Sequence, residues 1–191
     1  MRKLLKLTLF IIPLGLFSCK AVEDGLGLKE PDQYARVYIA AAYNGPVSRE
    51  MSSIRNDTLK VYANYSGVRA LSSDVEVELK TDLSLIDAFN ERNGTSYSPP
   101  APECYLLKDK TVTIPSGQSI SSSGARLVLI AGAFMDDELY LLPVSIASIS
   151  RDITVNEDLR TLYVLVRCKG GIVEINIQTP ADYTVEEEEN W

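Results

Sequence analysis

Histidine is missing altogether from the 191 residues. That removes the commonest general base at neutral pH, the usual zinc and copper ligand, and every Ser-His or Cys-His catalytic pair. Cysteine is scarce, three in all, with no Cys-x-x-Cys spacing, so neither a metal site nor a bound cofactor is expected. Positive charge is in deficit: 19 Lys+Arg against 26 Asp+Glu give a formal net charge of −7. Such a chain repels phosphate backbones overall, and nucleic acid is not expected as a partner. One hydrolytic mechanism survives these absences, because glycoside hydrolysis needs only two carboxylates flanking the bond. Asp136-Asp137-Glu138 or Asp82 with Asp87 can be nominated, yet nothing singles out a pair, and solvated loop and helix-start acids explain them better. The expectation is a protein that is not an enzyme.

Long apolar runs are also lacking. The one unbroken stretch, Leu7 to Phe17, is too short for a transmembrane helix, which takes about 20 residues. It follows the basic start Met1-Arg2-Lys3 with Lys6, and Ser18-Cys19 comes straight after it, which is the layout of a secretory signal. Leu16-Phe17-Ser18-Cys19 resembles the bacterial lipobox, in which the cysteine becomes the first mature residue and carries lipid. Two or three acyl chains hold a protein to a bilayer firmly, whereas one does so only marginally. The expected organisation is therefore a lipoprotein signal peptide over 1–18 and a lipidated Cys19 with a flexible tether over 19–33. The membrane is a partner through that lipid. Glu23-Asp24 resembles the acidic surface-export signal of Bacteroidetes lipoproteins, so the expected location is the cell envelope, at the outer membrane and exposed on the surface.

From Tyr34 onward short alternating runs dominate. Asp74 to Lys80, Leu59 to Tyr65 and Val173 to Ile177 each place apolar residues at every second position, the pattern of half-buried antiparallel strands. Further strands are expected at Arg36 to Ala42, Thr111 to Ile114, Ala125 to Ile130, Leu139 to Ile146 and Leu162 to Arg167. Gly170-Gly171 suggests a hairpin between the last two strands, and Pro143 predicts an edge strand or a bulge. Asp82 to Gly94 breaks the alternation with helical spacing at Leu85, Ala88 and Phe89; Ser84 and Asp87 suit a capping box, and Gly94 a left-handed stop. Strands at this spacing around one short helix point to a mainly β protein, two packed sheets forming a β-sandwich over 34–180. The acidic segment 181–191 is expected to be a C-terminal tail. Cys104 and Cys168 are candidates for a disulfide outside the cytoplasm, with two separate buried thiols as the alternative.

Ser84-Leu85-Ile86, Phe89-Asn90, Asn93-Gly94-Thr95, Tyr97, Tyr105-Leu106-Leu107 and Thr111 to Gly117 together resemble a family of Bacteroidetes surface lipoprotein domains. Tyr140 to Ile146 also looks like that family's strand, and the similarity runs over about Arg36 to Arg167. Its members often stand ahead of a glycan-binding or endo-β-N-acetylglucosaminidase module. The resemblance implies an immunoglobulin-like sandwich and a role in glycan capture or handling at the cell surface. The chain stops soon after this stretch, so the resemblance brings no catalytic residues with it. Ten tyrosines and Trp191 offer stacking faces for sugar, with Tyr43, Tyr62, Tyr65, Tyr97 and Tyr105 in positions where exposure is feasible. Tyrosine is favoured in strands regardless of ligand, so any one of them is better read as sheet packing. Asp57-Thr58-Leu59 resembles the Bacteroidetes O-glycosylation signal and makes Thr58 a candidate, against a plain turn residue entering a strand. The leading functional expectation is a non-catalytic binding or accessory module for glycan capture, with glycans or other surface proteins as partners. The alternatives are a structural or adhesive subunit that assembles through added strands and a small carboxylate-pair glycosidase.

Overall fold

A computed structural model describes residues 31–169. The expected signal peptide, Cys19, the Gly170-Gly171 hairpin, the strand at Val173 to Ile177 and the acidic tail lie outside them. Eleven strands are seen among the described residues: β1 (Arg36–Tyr38), β2 (Val47–Ser52), β3 (Asp57–Val61), β4 (Asn64–Ser66), β5 (Val75–Thr81), β6 (Tyr105–Lys108), β7 (Thr111–Ile114), β8 (Ala125–Leu129), β9 (Leu139–Ile149), β10 (Thr154–Val155) and β11 (Thr161–Lys169). One α-helix, α1 (Leu85–Asn93), interrupts them between β5 and β6. They form a five-stranded sheet in the order β2-β11-β9-β5-β7, a three-stranded sheet β3-β8-β6, and a three-stranded ribbon β10-β1-β4.

The expected β-sandwich is what the chain builds. Alternation supplies its core: Val75, Val77 and Leu79 of β5, Leu162, Val164 and Val166 of β11, and Leu127 and Leu129 of β8 are all buried in one continuous cluster. Each such side chain contributes roughly 1.5–3 kcal/mol by leaving water. Two polar side chains enter the interior with partners. The Ser121 hydroxyl accepts the Ala63 N–H at 3.2 Å while the Ser121 N–H donates to the Ala63 carbonyl, and Ser145 and Thr161 share a hydroxyl bond of 2.7 Å.

Among the described residues two pairs of strands are parallel, a feature absent from the sequence expectation. β11 runs parallel to β2 from Val164↔Val47 to Lys169↔Ser52, and β1 runs parallel to β10. With β9 antiparallel on its other side, β11 has both flanks taken. The expected strand from Arg36 to Ala42 ends at Tyr38 and passes into a 3-10 turn at Ala40–Ala42. The run from Leu59 to Tyr65 is divided between β3 and β4, which belong to different sheets.

Pro143 is neither on an edge strand nor at a bulge. It lies in β9, between β11 and β5, opposite Tyr163. The β5 ladder ends at Thr81↔Val144, and the Asp82 N–H donates to the Pro143 carbonyl as the chain turns toward α1. Proline's missing donor therefore falls where the neighbouring strand departs, which makes it tolerable in an interior strand. The irregularity sits further along, where the β5–β9 register shifts between Glu78 and Leu79.

The helix also starts differently from the expectation. Ser84 is helical in backbone and caps nothing; its hydroxyl donates to the Asp82 carboxylate at 2.5 Å. The stop is as predicted, with Gly94 at φ 63° and its N–H on the Asn90 carbonyl, a conformation that costs a side-chain-bearing residue energy.

Candidate functional site

The outer face of the five-stranded sheet carries a second, smaller apolar cluster. Ile86 and Phe89 of α1 and Leu141 of β9 are buried there, with Leu83, Tyr97, Tyr163 and Leu165 packed against them. α1 is amphipathic only over this short patch, so one face seals the sheet and the other, with Arg92 and Asn93, stays exposed. The Phe89 and Tyr163 rings lie 4.5 Å apart between centroids at 41°, and Tyr97 follows at 6.3 Å from Phe89, within the range in which aromatic pairs attract.

Asn90 fixes the loop that leaves the helix. Its Oδ1 accepts from the Thr95 hydroxyl at 2.9 Å and from the Tyr97 N–H at 3.0 Å, while its Nδ2 donates to the Tyr97 carbonyl at 2.9 Å. The following residues then take over pairing with β9, with the Leu141 N–H donating to the Ser98 carbonyl. Residues that carried the family resemblance, Phe89-Asn90 and Thr95 with Tyr97, thus have a structural purpose: they clamp one loop beside one cleft.

That cleft has a volume of about 210 Å³. Phe89 and Tyr163 line it with Arg92 and Asn93 from the helix end, Asp158 from the turn before β11, and Gly45-Pro46 from the loop before β2. The volume is smaller than a drug-sized pocket and suits a single ring. Tyr43 stands next to the lining residue Ala42 and is 78% exposed. The chemistry on offer is an aromatic face bordered by a guanidinium, an amide and a carboxylate: binding groups with no activated nucleophile. Asn93 is held by an Nδ2 bond to the Phe89 carbonyl at 2.7 Å. Larger clefts, of about 450 Å³ beside Arg55 to Thr58 and about 300 Å³ between Arg69 and Arg151, have no free aromatic face. Tyr65, in the second, is buried with its hydroxyl donating to the Arg69 carbonyl.

The sequence-nominated tyrosines are not gathered into one platform. Tyr43 is exposed near the cleft, Tyr97 packs against Phe89 in the small cluster, Tyr62 is half-buried just after β3, and Tyr65 and Tyr105 pack against the core. Tyr163 and Phe89 were missed. Tyr163 sits at an outward position of the alternating run in β11, and that alternation was the only sequence signal available for it.

The nominated acids are dispersed. Asp82 is paired to Lys80 at 2.7 Å, and that partner, with the Ser84 hydroxyl, holds its carboxyl below the usual range, the wrong direction for a general acid. Asp87 is exposed on α1, and Asp136-Asp137-Glu138 is an exposed turn ahead of β9. Among the described residues no group of three His, Cys, Asp or Glu is placed to hold a metal ion. Nor is any helix among them long and apolar enough to cross a membrane. Thr58 is exposed on β3.

Cys104 and Cys168 form no disulfide; both are free and buried. The Cys104 thiol donates to the Ala133 carbonyl at 3.0 Å, and Cys168 points into the core from β11, opposite Met51. Each is an apolar filler, and burial pushes both thiols above their ordinary pKa.

A family model described only as an N-terminal domain matches residues 31–153. The chain belongs to that family. Solved structures share the fold. A candidate carbohydrate-binding protein from Bacteroides ovatus superposes with a TM-score of 0.57 at 21% identity, covering 70% of this chain and 37% of that one. EndoBT-3987 of Bacteroides thetaiotaomicron, solved with its Man5GlcNAc product, gives 0.54 at 19% identity over 71% and 31% of the two chains. A two-domain protein of unknown function from Bacteroides fragilis gives 0.52 at 11%, over 81% and 51%. The family resemblance read from the helix and its flanking motifs is thereby borne out. The chain matches about a third to a half of the length of these structures. No curated protein matches it.

Proposed function

We propose that the chain is a lipid-anchored envelope protein whose domain captures glycan without cleaving it, at the cleft between α1 and the start of β11. The observation that carries this reading is the Phe89–Tyr163 aromatic pair bordered by Arg92, Asn93 and Asp158. A sugar ring stacks its C–H face on an aromatic side chain, and its hydroxyls need donors and acceptors around the edge. The carbohydrate-related proteins among its structural neighbours support the choice of ligand class. The signal read at residues 1–18 and Cys19 supports placement at the outer membrane, where a tether raises the local concentration of a weak binder.

Titration of the full chain against a broad array of neutral oligosaccharides tests the cleft. Binding is expected, and Arg92→Ala, at an exposed lining position, should weaken it while the fold persists; absence of binding across the array would remove the reading. Cys19→Ser should move the protein from membranes to the soluble fraction, and continued membrane retention would exclude the lipid anchor. Intact mass of the cell-derived protein, with and without Thr58→Ala, tests O-glycosylation at that exposed residue.

A further inference from the structure

The second sheet turns an unusual face to solvent. In β3-β8-β6 the ladder sets Lys60 opposite Arg126 and Arg126 opposite Lys108, and all three are exposed outward positions. Neighbouring strands lie about 4.8 Å apart, so three cations form a row roughly 10 Å long. Like charges directly opposite one another repel across a sheet, and this row occurs in a chain of net charge −7. One acid relieves it in part: the Asp109 carboxylate meets the Arg126 Nε at 2.6 Å. Among the described residues neither lysine has an ion-pair partner.

Aromatic and apolar side chains flank the row on its two sides. On one side, Tyr62 lies over Gly124, where an added Cβ would stand 3.1 Å from the Tyr62 ring and 3.1 Å from the Lys60 Cβ. The missing side chain lets the ring lie close against the strand beside the cations. On the other side stand Thr58, Val128 and Leu106, paired across the same three strands, with Leu106 46% exposed. The face therefore presents an aromatic ring, a row of positive charge, and then Thr58 beside the apolar Val128 and Leu106.

We infer that this face binds an acidic polysaccharide, its carboxylate or sulfate groups on Lys60, Arg126 and Lys108 and a sugar ring against Tyr62. Charge complementarity selects the anion, and the ring beside the row selects a sugar chain over a bare ion. The choice of a polysaccharide among polyanions rests on the glycan-capture reading; the site itself is separate from the cleft.

Affinity electrophoresis of the full chain through gels containing heparin, polygalacturonate or neutral dextran tests it. Retention is expected in at least one acidic gel, weakening as salt screens the charges. Lys60→Gln with Lys108→Gln should reduce apparent affinity about tenfold, at roughly threefold per exposed charge. Asp109→Asn, which frees Arg126, should strengthen it by a factor of about three, a gain that a purely structural role would not produce. All of these positions are exposed, and unchanged thermal melts confirm that each variant is folded. No retention in either acidic gel, retention unaffected by the double lysine variant, or equal retention by a duplex oligonucleotide would overturn the inference. Arg92→Ala in the cleft should leave acidic binding unchanged, and the lysine variant should leave neutral-glycan binding unchanged, so failure of one reading is distinguishable from failure of the other.

Discussion

Phe89 of α1 and Tyr163 of β11 face each other with ring centroids 4.5 Å apart, and through them a nine-residue helix is fastened to the outside of the sheet. Phe89 is buried, in a cluster that is separate from the main core. Phe89→Ala should therefore cost about 3–5 kcal/mol, seen as a lowered urea midpoint, and should release the helix while β5, β9 and β11 keep their amide-exchange protection. Equal loss of protection in the sheet would mean that the two clusters form one unit.

Asn90 makes three side-chain bonds to Thr95 and Tyr97. Asn90→Ala leaves the half-buried Tyr97 amide without its acceptor and should cost roughly 1–3 kcal/mol. Asn90→Asp keeps both accepted bonds and should cost less. Equal destabilisation by the two variants, measured by chemical denaturation, would show that the loop does not depend on the accepted bonds.

The Lys80–Asp82 pair carries a pH dependence. Lys80 and the Ser84 hydroxyl hold the Asp82 carboxyl below its ordinary value, so the folded chain resists protonation there more than the unfolded chain does. The stabilisation is complete above the ordinary aspartate value of about 3.9 and is lost as pH falls through the lower folded value. Carboxyl NMR should show Asp82 titrating low, and Lys80→Met should move it upward. Titration at the ordinary value in the unaltered protein would show that the pair is not formed in solution.

Cys104 and Cys168 should resist a thiol reagent at about pH 8 in the folded protein and react on unfolding, because burial disfavours both thiolates. With folded thiol pKa values raised, their contribution to stability is present below the ordinary thiol range and declines as pH rises through it. Both cysteines unreactive after unfolding without reductant would indicate a disulfide.

Period-two alternation was enough to find β5, β7, β8, β9 and β11 within a few residues, since it reports which side chains leave water and needs no knowledge of partners. The helix and its glycine stop were legible for the same local reason. Pairing was not. That β2 lies parallel to β11, that Pro143 belongs in an interior strand, and that Leu59 and Tyr65 serve different sheets depend on which strands meet, and alternation is the same for an edge, a centre, a parallel or an antiparallel neighbour.

The candidate sites divide along the same line. The amino-acid sequence by itself determined the absence of histidine chemistry, the sandwich class and the lipid-anchor expectation at Cys19, each a matter of composition or local pattern. Tertiary structure alone decided that Phe89 meets Tyr163 from 74 residues away, and that Lys60, Arg126 and Lys108, on three separate strands, stand in one row. It also places both cysteines in the interior as free thiols. Juxtaposition of residues far apart in the chain is set by strand register and sheet packing, and those follow from how the whole chain buries its apolar faces together.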